Sequence, residues 1–353
     1  MSGRTPAAAG FRWPAEWEPH AATWLAWPHN ADTWPGRLDR AVLGLVAIVR
    51  ALQGREQVHI AVSGVAAEDA ARAALAAQGI DPDAGIDFPH IPTDDAWLRD
   101  TGPIFCVRDD AAGRERAAVC FRFDAWGGKY PPWDRDAAVS RRIAEHEGVR
   151  RFEADFVLEG GSVDGNGRGT LLTTESCLLH PNREAGRSRE SMEARLHDWL
   201  GATQVLWLDE GIAGDDTDGH IDDIARFVAA GIVAVAVAHS PSDPNAEVLR
   251  VNLERLRRMN DQDGRRLAVV ELPLPPTQRG GGEIFPASYA NFYLANGVVL
   301  VPTFGAETDA RALATMREVV GDRDVVGVAC GDLVQGLGAV HCLSQQEPAA
   351  TPA

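Results

Sequence analysis

The chain has 353 residues, of which 45% are hydrophobic and 24% are charged, as in an ordinary soluble globular protein. Its formal net charge of −17 disfavours nucleic acid and anionic membrane surfaces as partners and favours the approach of a cationic ligand. The alternative is that the acidity only keeps the protein soluble. The longest apolar stretch, residues 229–238, is about half as long as a membrane-spanning helix.

The five cysteines are an odd number without paired spacing, which argues against a disulfide framework or a structural zinc site. Residues 1–14 lack the apolar region of a secretory signal. We therefore expect a cytoplasmic protein with no nucleic-acid partner and no membrane partner. A homo-oligomer is compatible with these features.

Segments typical of strands alternate with helical segments along the whole chain. In chain order, the sequence predicts a strand at 58–62, a helix at 66–78, extended segments at 97–105 and 117–126, a helix at 136–147, extended segments at 156–161 and 170–174, a helix at 188–200, extended segments at 204–208 and 226–238, a helix at 245–259, extended segments at 267–274 and 289–303, a helix at 308–320, a strand at 325–329 and a strand around Cys342.

This order is strand-strand-helix-strand, recurring about five times without a linker of low complexity. It predicts an α/β fold, a single domain over residues 1–353 in which five ββαβ units form a five-bladed propeller. Loops from every unit would then meet at a central channel. Residues 1–10 and 347–353 are expected to be flexible ends.

Cys342 is the strongest candidate for a nucleophile. Gly336 and Gly338 precede it and permit the close backbone approach that a loop presenting a nucleophile needs. A cysteine reacts as a thiolate, so it needs a base or an electropositive setting. On an extended chain His341 points away from Cys342 and is a poor general base. The other cysteines lie in apolar runs and are expected to be inert.

An acidic segment surrounds His220. Residues 215–219, D-D-T-D-G, have the composition of a turn, and His220 and Asp222 share one face if the chain leaves it extended. His220 would then shuttle protons and Asp222 would accept from a substrate. The alternatives are a solvated loop histidine or a cation site, although the spacing does not match a calcium loop.

Trp97 and Asp100 form a second candidate pair. A tryptophan ring attracts a planar cation, and one carboxylate can accept two N–H bonds from a guanidinium. The alternative is an ordinary turn in which Asp100 caps the chain. Glu159 precedes two glycines where a carboxylate could reach a cavity, and Asn291 could instead be a satisfied core amide. Carboxylates near a thiol point to a cationic substrate, a guanidinium or an amidine.

The motifs resemble the agmatine deiminase family, within the guanidine-modifying superfamily of pentein fold. The resemblance covers nearly the whole chain in the family's order. It rests on these stretches: H-A-A-T-W-L-A-W-P at 20–28, W-L-R-D-T-G-P at 97–103, F-D-A-W-G-G-K at 123–129, L-E-G-G-S at 158–162, L-L-T-T-E-S-C-L-L-H-P-N-R at 171–183, D-T-D-G-H-I-D at 216–222, A-S-Y-A-N-F-Y-L-A-N-G at 287–297 and H-C-L-S-Q-Q-E-P at 341–348.

The resemblance implies a role for each matching residue. Cys342 would be the nucleophile and His220 the general acid and base. The other implied residues are Asp100 and Asp222 on the guanidinium, Glu159 assisting in the active site, Trp97 lining the substrate channel, Asp216 on the distal amine of agmatine, and Gly219 and Asn291 as further binding residues.

The implied reaction is hydrolysis of agmatine to N-carbamoylputrescine and ammonia through a covalent amidino-cysteine, without a metal or an organic cofactor. Two departures from the family pattern bear on the substrate, namely the aspartates at 218 and 223 and Leu337 in the loop before Cys342. No basic residue lies within 209–223 to receive the α-carboxylate of arginine.

Three other functions stay open at this point. An amidinotransferase of the same fold would replace water with an amine, and another deiminase would act on arginine or peptidylarginine. A non-catalytic polyamine-binding protein would not need the thiol of Cys342.

Overall fold

Helices and strands alternate along the chain in this computed structural model, which describes residues 5–111, 113–184, 186–238 and 240–350. The described helices are α1 (Leu38–Leu52), α2 (Val65–Ala77), α3 (Leu98–Thr101), α4 (Ala125–Gly128), α5 (Asp136–His146), α6 (Glu175–Leu178), α7 (Arg189–Leu200), α8 (Ala246–Leu256), α9 (Asp309–Val319) and α10 (Val340–Leu343). None of them combines the length and apolar character that a membrane crossing requires.

The strands are mostly short. They are β1 (His20–Ala26), β2 (Gln57–Ala61), β3 (Ile86–Asp87), β4 (Ile104–Asp110), β5 (Gly113–Arg122), β6 (Arg150–Val157), β7 (Val163–Gly165), β8 (Thr170–Thr174), β9 (Gln204–Leu208), β10 (Ala225–Ala229), β11 (Ile232–Val237), β12 (Ala268–Pro273), β13 (Arg279–Gly280), β14 (Glu283–Ile284), β15 (Tyr293–Ala295), β16 (Val298–Thr303), β17 (Asp324–Ala329) and β18 (Gln345–Pro348).

Four sheets share one strand order. In β4-β5-β6, β7-β8-β9, β10-β11-β12 and β15-β16-β17 the first two strands are antiparallel and the third is parallel to the second. A helix, respectively α5, α7, α8 and α9, connects each parallel pair, as a crossover between parallel strands requires. The strand-strand-helix-strand order read from the sequence is therefore present in each of these units.

The fifth unit joins the two ends of the chain. Its sheet has the order β18-β1-β2-β3. Strand β18, from the C-terminal end, pairs antiparallel with β1, and α1 connects β1 to the parallel strand β2. Buried Trp24 on β1 donates from Nε1 to Oε2 of buried Glu347 at 2.6 Å. The amide of Ala349 donates to the carbonyl of Pro19 at 2.8 Å. This closure depends on a side-chain bond as well as on strand pairing.

The pairing of β18 with β1 affects the chain ends, which the sequence analysis expected to be flexible. Residues 347 and 348 belong to β18 and are buried, and Ala7–Ala9 form a 3-10 helix. The expectation of flexible ends therefore does not fit residues 7–9 and 347–348. The rest of that expectation, for 1–4 and 351–353, lies outside the described residues.

Two segments predicted as extended are short helices. Leu98–Thr101 form α3 before β4 begins, and Cys342 lies in α10 and not in a strand. Buried Arg99 of α3 donates from Nε to the carbonyl of His341 in α10 at 3.4 Å, and from Nη1 to Gln345 Oε1 and Gln346 Oε1 in β18, both at 2.7 Å. Residues 20–57, which the sequence pattern left unassigned, contain β1 and α1.

The hydrophobic core consists of several clusters beneath the sheets. The cluster around α1 combines side chains of β1 and β2 with those of β15, β16 and β17. Buried positions of α1 recur at helical spacing, including Ala41, Leu45, Ile48 and Leu52. This packing joins the sheet of β1 and β2 to the sheet of β15, β16 and β17, in a cluster against which Cys342 also packs.

We predict that Trp24→Phe destabilises the protein by about 1–3 kcal/mol, because it leaves Oε2 of the buried Glu347 without its donor while Arg116 stays on Oε1. Trp207→Phe is the matched control, since Trp207 Nε1 donates to the more exposed Glu193 at 2.8 Å. Urea unfolding of both variants measures the difference. Equal losses of unfolding free energy in the two variants would show that the Trp24–Glu347 bond stabilises the protein no more than the Trp207–Glu193 bond does.

Candidate active site

Loops from several units surround a pocket of about 840 Å³. Its lining includes five of the predicted site residues: Cys342, His220, Asp100, Trp97 and Asp216. Seven aspartates and one glutamate line it, and the single lysine among the described lining residues is Lys129. The lining acids are Asp32, Asp94, Asp95, Asp100, Asp136, Asp216, Asp223 and Glu283. The pocket therefore suits a cation.

Cys342 presents its thiol to this pocket from α10. Asn291 Nδ2 lies 3.1 Å from Sγ, and Asp222 Oδ2 lies 3.8 Å from it. Burial raises the pKa of the Cys342 thiol well above its ordinary value, and the carboxylates of Asp222, Asp223 and Asp100 raise it further. Both effects favour the protonated thiol. The other four cysteines are buried, which agrees with the inert role expected for them.

Asp100 is fixed by two donors. The amide of Gly161 donates to Oδ1 at 2.8 Å, and Trp126 Nε1 donates to Oδ2 at 2.9 Å. Burial raises the pKa of Asp100; His220 opposes this effect, and Asp222 adds to it. Each oxygen retains a lone pair for a further donor. The carboxylate is thus held in one orientation with capacity for a guanidinium.

His220 lies beside Asp100 with its ring almost fully buried. Its Nδ1 is 3.8 Å from Asp100 Oδ2, whereas Nε2 has no hydrogen-bond partner among the described residues. Burial would lower the pKa of His220, but Asp100, the Cys177 thiol and Asp222 together raise it well above the ordinary value. A protonated imidazole is the state that can donate a proton to a leaving group.

Asp222 follows His220 in a 3-10 turn, Ile221–Asp223, and not in the extended chain that the sequence pattern favoured. Its Oδ2 lies 2.7 Å from His341 Nδ1, while Oδ1 has no hydrogen-bond partner among the described residues. Burial would raise the pKa of Asp222, but His341 and His220 lower it. Asp222 is therefore an ionised carboxylate with one free oxygen.

Glu159 lies behind the pocket and is fully buried. Arg183 Nε donates to its Oε1 at 2.8 Å, and its Oε2 has no partner among the described residues. Donor atoms of Glu159, Cys177 and His220 lie within 4.8 Å of one another. Carboxylate, thiolate and imidazole are the donors of zinc sites, so these three residues could hold such an ion. A second group of possible ligands comprises His59, Glu147 and Glu347.

The residues expected to bind substrate differ in their positions. Trp97 lines the pocket and packs against Trp34, with the two ring centroids 5.3 Å apart. Asp216 also lines it and accepts a short hydrogen bond from the hydroxyl of Tyr130. Burial raises the pKa of Asp216, Asp215 adds to this effect, and the bond from Tyr130 opposes it.

Gly219 and Asn291 are absent from the described lining of the pocket. The carbonyl of Gly219 accepts from Thr174 Oγ1 at 2.5 Å, and its φ of +109° is one that glycine adopts readily. A direct contact between Gly219 and substrate therefore finds no support. Asn291 instead supports Cys342, since its Oδ1 accepts the amide of His341 at 2.9 Å.

The departures from the family pattern have identifiable partners. Asp218 accepts from Lys129 and Asn182, both at 2.8 Å, and forms an ion pair with Arg183. Burial would raise the pKa of Asp218, but these donors lower it to about 2. The additional charge at 218 is thus compensated. Leu337 lines the pocket with a φ of +71°, a strained value for a branched side chain.

Asp223 contributes less charge than the sequence implies. Its Oδ1 accepts from Asn291 Nδ2 at 3.0 Å. Burial raises the pKa of Asp223 well above its ordinary value, and neighbouring Asp222 and Asp215 raise it further. These effects favour the neutral form of Asp223, so it adds less negative charge to the pocket than an exposed aspartate would.

Several residues of the site carried no assigned role in the sequence. Trp126 stands in the F-D-A-W-G-G-K segment, and its φ of +56° next to two glycines marks an unusual turn. Tyr130, Arg183 and His341 also lie among residues quoted for the resemblance or directly after them. Glu16 has no such signal, because its partners are distant in sequence.

Comparisons with known proteins show the family to which the chain belongs. Residues 12–348 match the model of the Porphyromonas-type peptidyl-arginine deiminase family, and the chain belongs to this family. The agmatine deiminase of Ectopseudomonas mendocina (strain ymp) is 39% identical over 369 residues, which cover 98% of this chain and 97% of that protein.

Two solved structures are similar over almost their whole length. The agmatine deiminase of Enterococcus faecalis has a TM-score of 0.89 and 35% identity, with 99% of each chain covered. A cysteine-to-serine variant of the C. jejuni agmatine deiminase, with substrate bound, has a TM-score of 0.86 and 25% identity, with 97% of each chain covered.

We predict that Gly161→Ala abolishes turnover while the protein stays folded. A Cβ at 161 would lie 2.5 Å from His220 Nδ1, 3.0 Å from Asp100 Oδ1 and 3.2 Å from Asp222 Oδ2, so all three side chains would have to move. Gly331→Ala is the control, since nothing lies within 4 Å of its added Cβ. Steady-state kinetics and thermal unfolding of both variants measure the effect. Normal turnover by Gly161→Ala would contradict this packing.

Proposed function

We propose that the protein hydrolyses agmatine to N-carbamoylputrescine and ammonia. The observation that carries the proposal is the Cys342 thiol, 3.8 Å from the Asp222 carboxylate, at an acidic pocket whose one lysine among the described lining residues is already paired. A thiol in such a setting becomes a nucleophile only when a cation reduces the repulsion. The agmatine deiminases described above provide independent support for a guanidine substrate.

Binding is assigned to two carboxylates. Asp222 Oδ1 is free to accept an N–H, and Asp100 is held by Gly161 and Trp126 with lone pairs remaining. Together they would grip the planar guanidinium on two edges. Trp97 would line the channel through which the aliphatic chain passes.

The first chemical step forms a carbon–sulfur bond. The bound cation lowers the pKa of the Cys342 thiol, whose proton passes to solvent, and the resulting thiolate attacks the guanidinium carbon to give a tetrahedral adduct. The adduct then loses one terminal nitrogen, which leaves as ammonia with a proton from His220. An amidino-cysteine remains on the enzyme.

The second step is hydrolysis. His220, now neutral, takes a proton from water, and the resulting hydroxide attacks the amidino carbon. The carbon–sulfur bond breaks, Cys342 leaves as a thiolate, and the ureido product is released. None of these steps requires a metal or an organic cofactor. Glu159 is assigned a supporting role behind His220.

The far end of the pocket is assigned to the distal amine. Asp216 would accept its N–H groups beside the hydroxyl of Tyr130. Arginine would bring an α-carboxylate to this region, but Lys129 Nζ is bound to Asp218 at 2.8 Å. Buried Arg99 is bound to glutamines and lies outside the described lining. The repulsion therefore favours agmatine over arginine.

The wider assignment follows from the same proposal. The repeated ββαβ units support a five-bladed propeller of pentein type, a single catalytic domain over residues 1–353. The unpaired cysteines suit a reducing compartment, so we assign the reaction to the cytoplasm.

The decisive experiment compares kcat/KM for agmatine, arginine and an arginyl peptide by ammonia release in one buffer. Agmatine should exceed arginine by about a hundredfold or more, because an unpaired carboxylate in an acidic pocket costs several kcal/mol. Cys342→Ser is the control and should release no ammonia. A preference for arginine would overturn the substrate, and turnover by Cys342→Ser would overturn the mechanism.

We predict that Asp216→Asn mainly raises KM for agmatine, by about 1–2 kcal/mol, with a smaller effect on kcat. The reason is that Asp216 contacts only the distal amine, equally in the ground and transition states. Asp32→Asn is the matched control, since this lining carboxylate is exposed to water. An unchanged KM for Asp216→Asn would mean that other groups recognise the amine.

A further inference from the structure

Leu337 presents its side chain to the pocket from the loop that leads to Cys342. It is the only branched aliphatic residue among the described lining residues, whose other large apolar side chains are aromatic or proline. The reaction steps above assign no role to it. In a lining with eight acidic residues, such a side chain is suited to the uncharged part of a ligand.

The backbone at Leu337 is in a conformation that costs free energy. Its φ of +71° and ψ of +21° lie in the left-handed region, where the Cβ of a leucine crowds the following carbonyl oxygen. The residue follows the 3-10 turn Leu333–Gly336, and its amide donates to the carbonyl of Val334 at 3.0 Å. A glycine would adopt this conformation without strain, so the turn alone does not explain a leucine here.

The residues on either side hold Leu337 in this conformation. A Cβ at Gly336 would lie 2.5 Å from Trp34 Nε1. A Cβ at Gly338 would lie 2.3 Å from Trp97 Cζ3, so the backbone packs directly on both rings. Trp34 also donates from Nε1 to a carbonyl of the 3-10 turn at 2.9 Å. The loop therefore has little room to relax, and the side chain at 337 stays in the lining beside Trp97.

We propose that Leu337 is a specificity-determining residue whose side chain packs, beside Trp97, against the aliphatic chain of the guanidine substrate. This inference rests on the proposed function and extends it to a ligand class, the alkylguanidines. The carboxylates would bind the charged head, and Leu337 would contact the methylene groups that follow it. Because the loop already holds this side chain in place, little conformational freedom is lost when the ligand binds.

Two substitutions separate the side chain from the backbone. Leu337→Ala removes the side chain beyond Cβ and keeps the left-handed strain, whereas Leu337→Gly removes both. In both variants kcat/KM for agmatine should fall about tenfold, mainly through KM, because the contact is lost equally in the ground and transition states. Leu43→Ala is the matched control and should change nothing, since this leucine is 49% exposed and lies outside the described lining.

Thermal unfolding provides a result that a merely structural role would not give. Leu337→Gly should unfold about 1–2 °C above Leu337→Ala, because glycine relieves the backbone strain. Its kcat/KM should nevertheless stay as low as that of Leu337→Ala. If Leu337 only shaped the loop, activity would follow stability, and Leu337→Gly would recover the wild-type kcat/KM.

Competitive inhibition shows which part of the ligand Leu337 contacts. Butylguanidine has the alkyl chain of agmatine without its amine, and methylguanidine has almost none of that chain. The wild-type protein should bind butylguanidine more tightly than methylguanidine. In Leu337→Ala and Leu337→Gly the Ki of butylguanidine should rise about tenfold, and the Ki of methylguanidine should stay within about twofold of the wild-type value.

The outcomes are distinguishable. If the wild-type protein releases ammonia from no guanidine, the proposed function is wrong and this inference falls with it. If the wild-type protein is active, the inference is wrong and the proposed function stands in any of three cases: both variants keep the wild-type KM, Leu337→Gly alone recovers, or the Ki values of the two guanidines change equally.

A further variant decides if Leu337→Ala or Leu337→Gly does not fold. Asparagine tolerates the left-handed region and has a similar size without the apolar surface. Leu337→Asn should therefore lose affinity for butylguanidine and keep its affinity for methylguanidine. An unchanged Ki of butylguanidine in this variant would overturn the contact between Leu337 and the alkyl chain.

Discussion

Repulsion between the Cys342 thiolate and its neighbouring carboxylates is the interaction on which the rest of this structure depends. Asp222 Oδ2 is 3.8 Å from the sulfur, and burial together with Asp222, Asp223 and Asp100 raises the pKa of the thiol. In most thiol enzymes a nearby positive charge lowers this pKa. Here a cationic substrate has to supply that charge. One arrangement thereby selects the substrate and delays activation of the nucleophile until the substrate is bound.

The cations of the protein are placed where they support the acids without neutralising the pocket. Arg183 pairs with Glu159 and Asp218, and Arg226 and Arg99 lie on Glu16. These guanidinium groups are behind the lining and fix the carboxylates in place. A buried ion pair gives little net stability after desolvation, but it can fix geometry. The face towards the ligand therefore stays negative and rigid.

Much of the fold was predictable because its units carry local signals. The helices at α5, α7, α8 and α9 begin and end within a few residues of their predicted bounds, since amphipathic spacing marks them. Helices of four residues, such as α3 and α10, have no such periodicity, so the segments of Asp100 and Cys342 were predicted as extended. Residues 20–57 were left unassigned, although they contain β1. Because nearly all positions of β1 are buried, its sequence lacks the alternation of apolar and polar residues that marks a half-exposed strand.

Site residues that lie in short motifs could be predicted from the sequence. Contacts between residues far apart in the chain could not. Asp100, His220, Asp222 and Cys342 were found from motifs, and their grouping rests on that resemblance. Glu16 contacts His341 across the whole chain, which no local pattern indicates.

The most direct test of this account is the pKa of the Cys342 thiol with and without agmatine. Thiolate absorbance, taken as the difference from a variant that lacks this cysteine, can be titrated in a His220→Gln background immediately after mixing. The account predicts a pKa above the ordinary thiol value in the free protein and a lower one when agmatine is bound. A free-protein thiol that ionises below its ordinary pKa, or one that agmatine leaves unchanged, would contradict it.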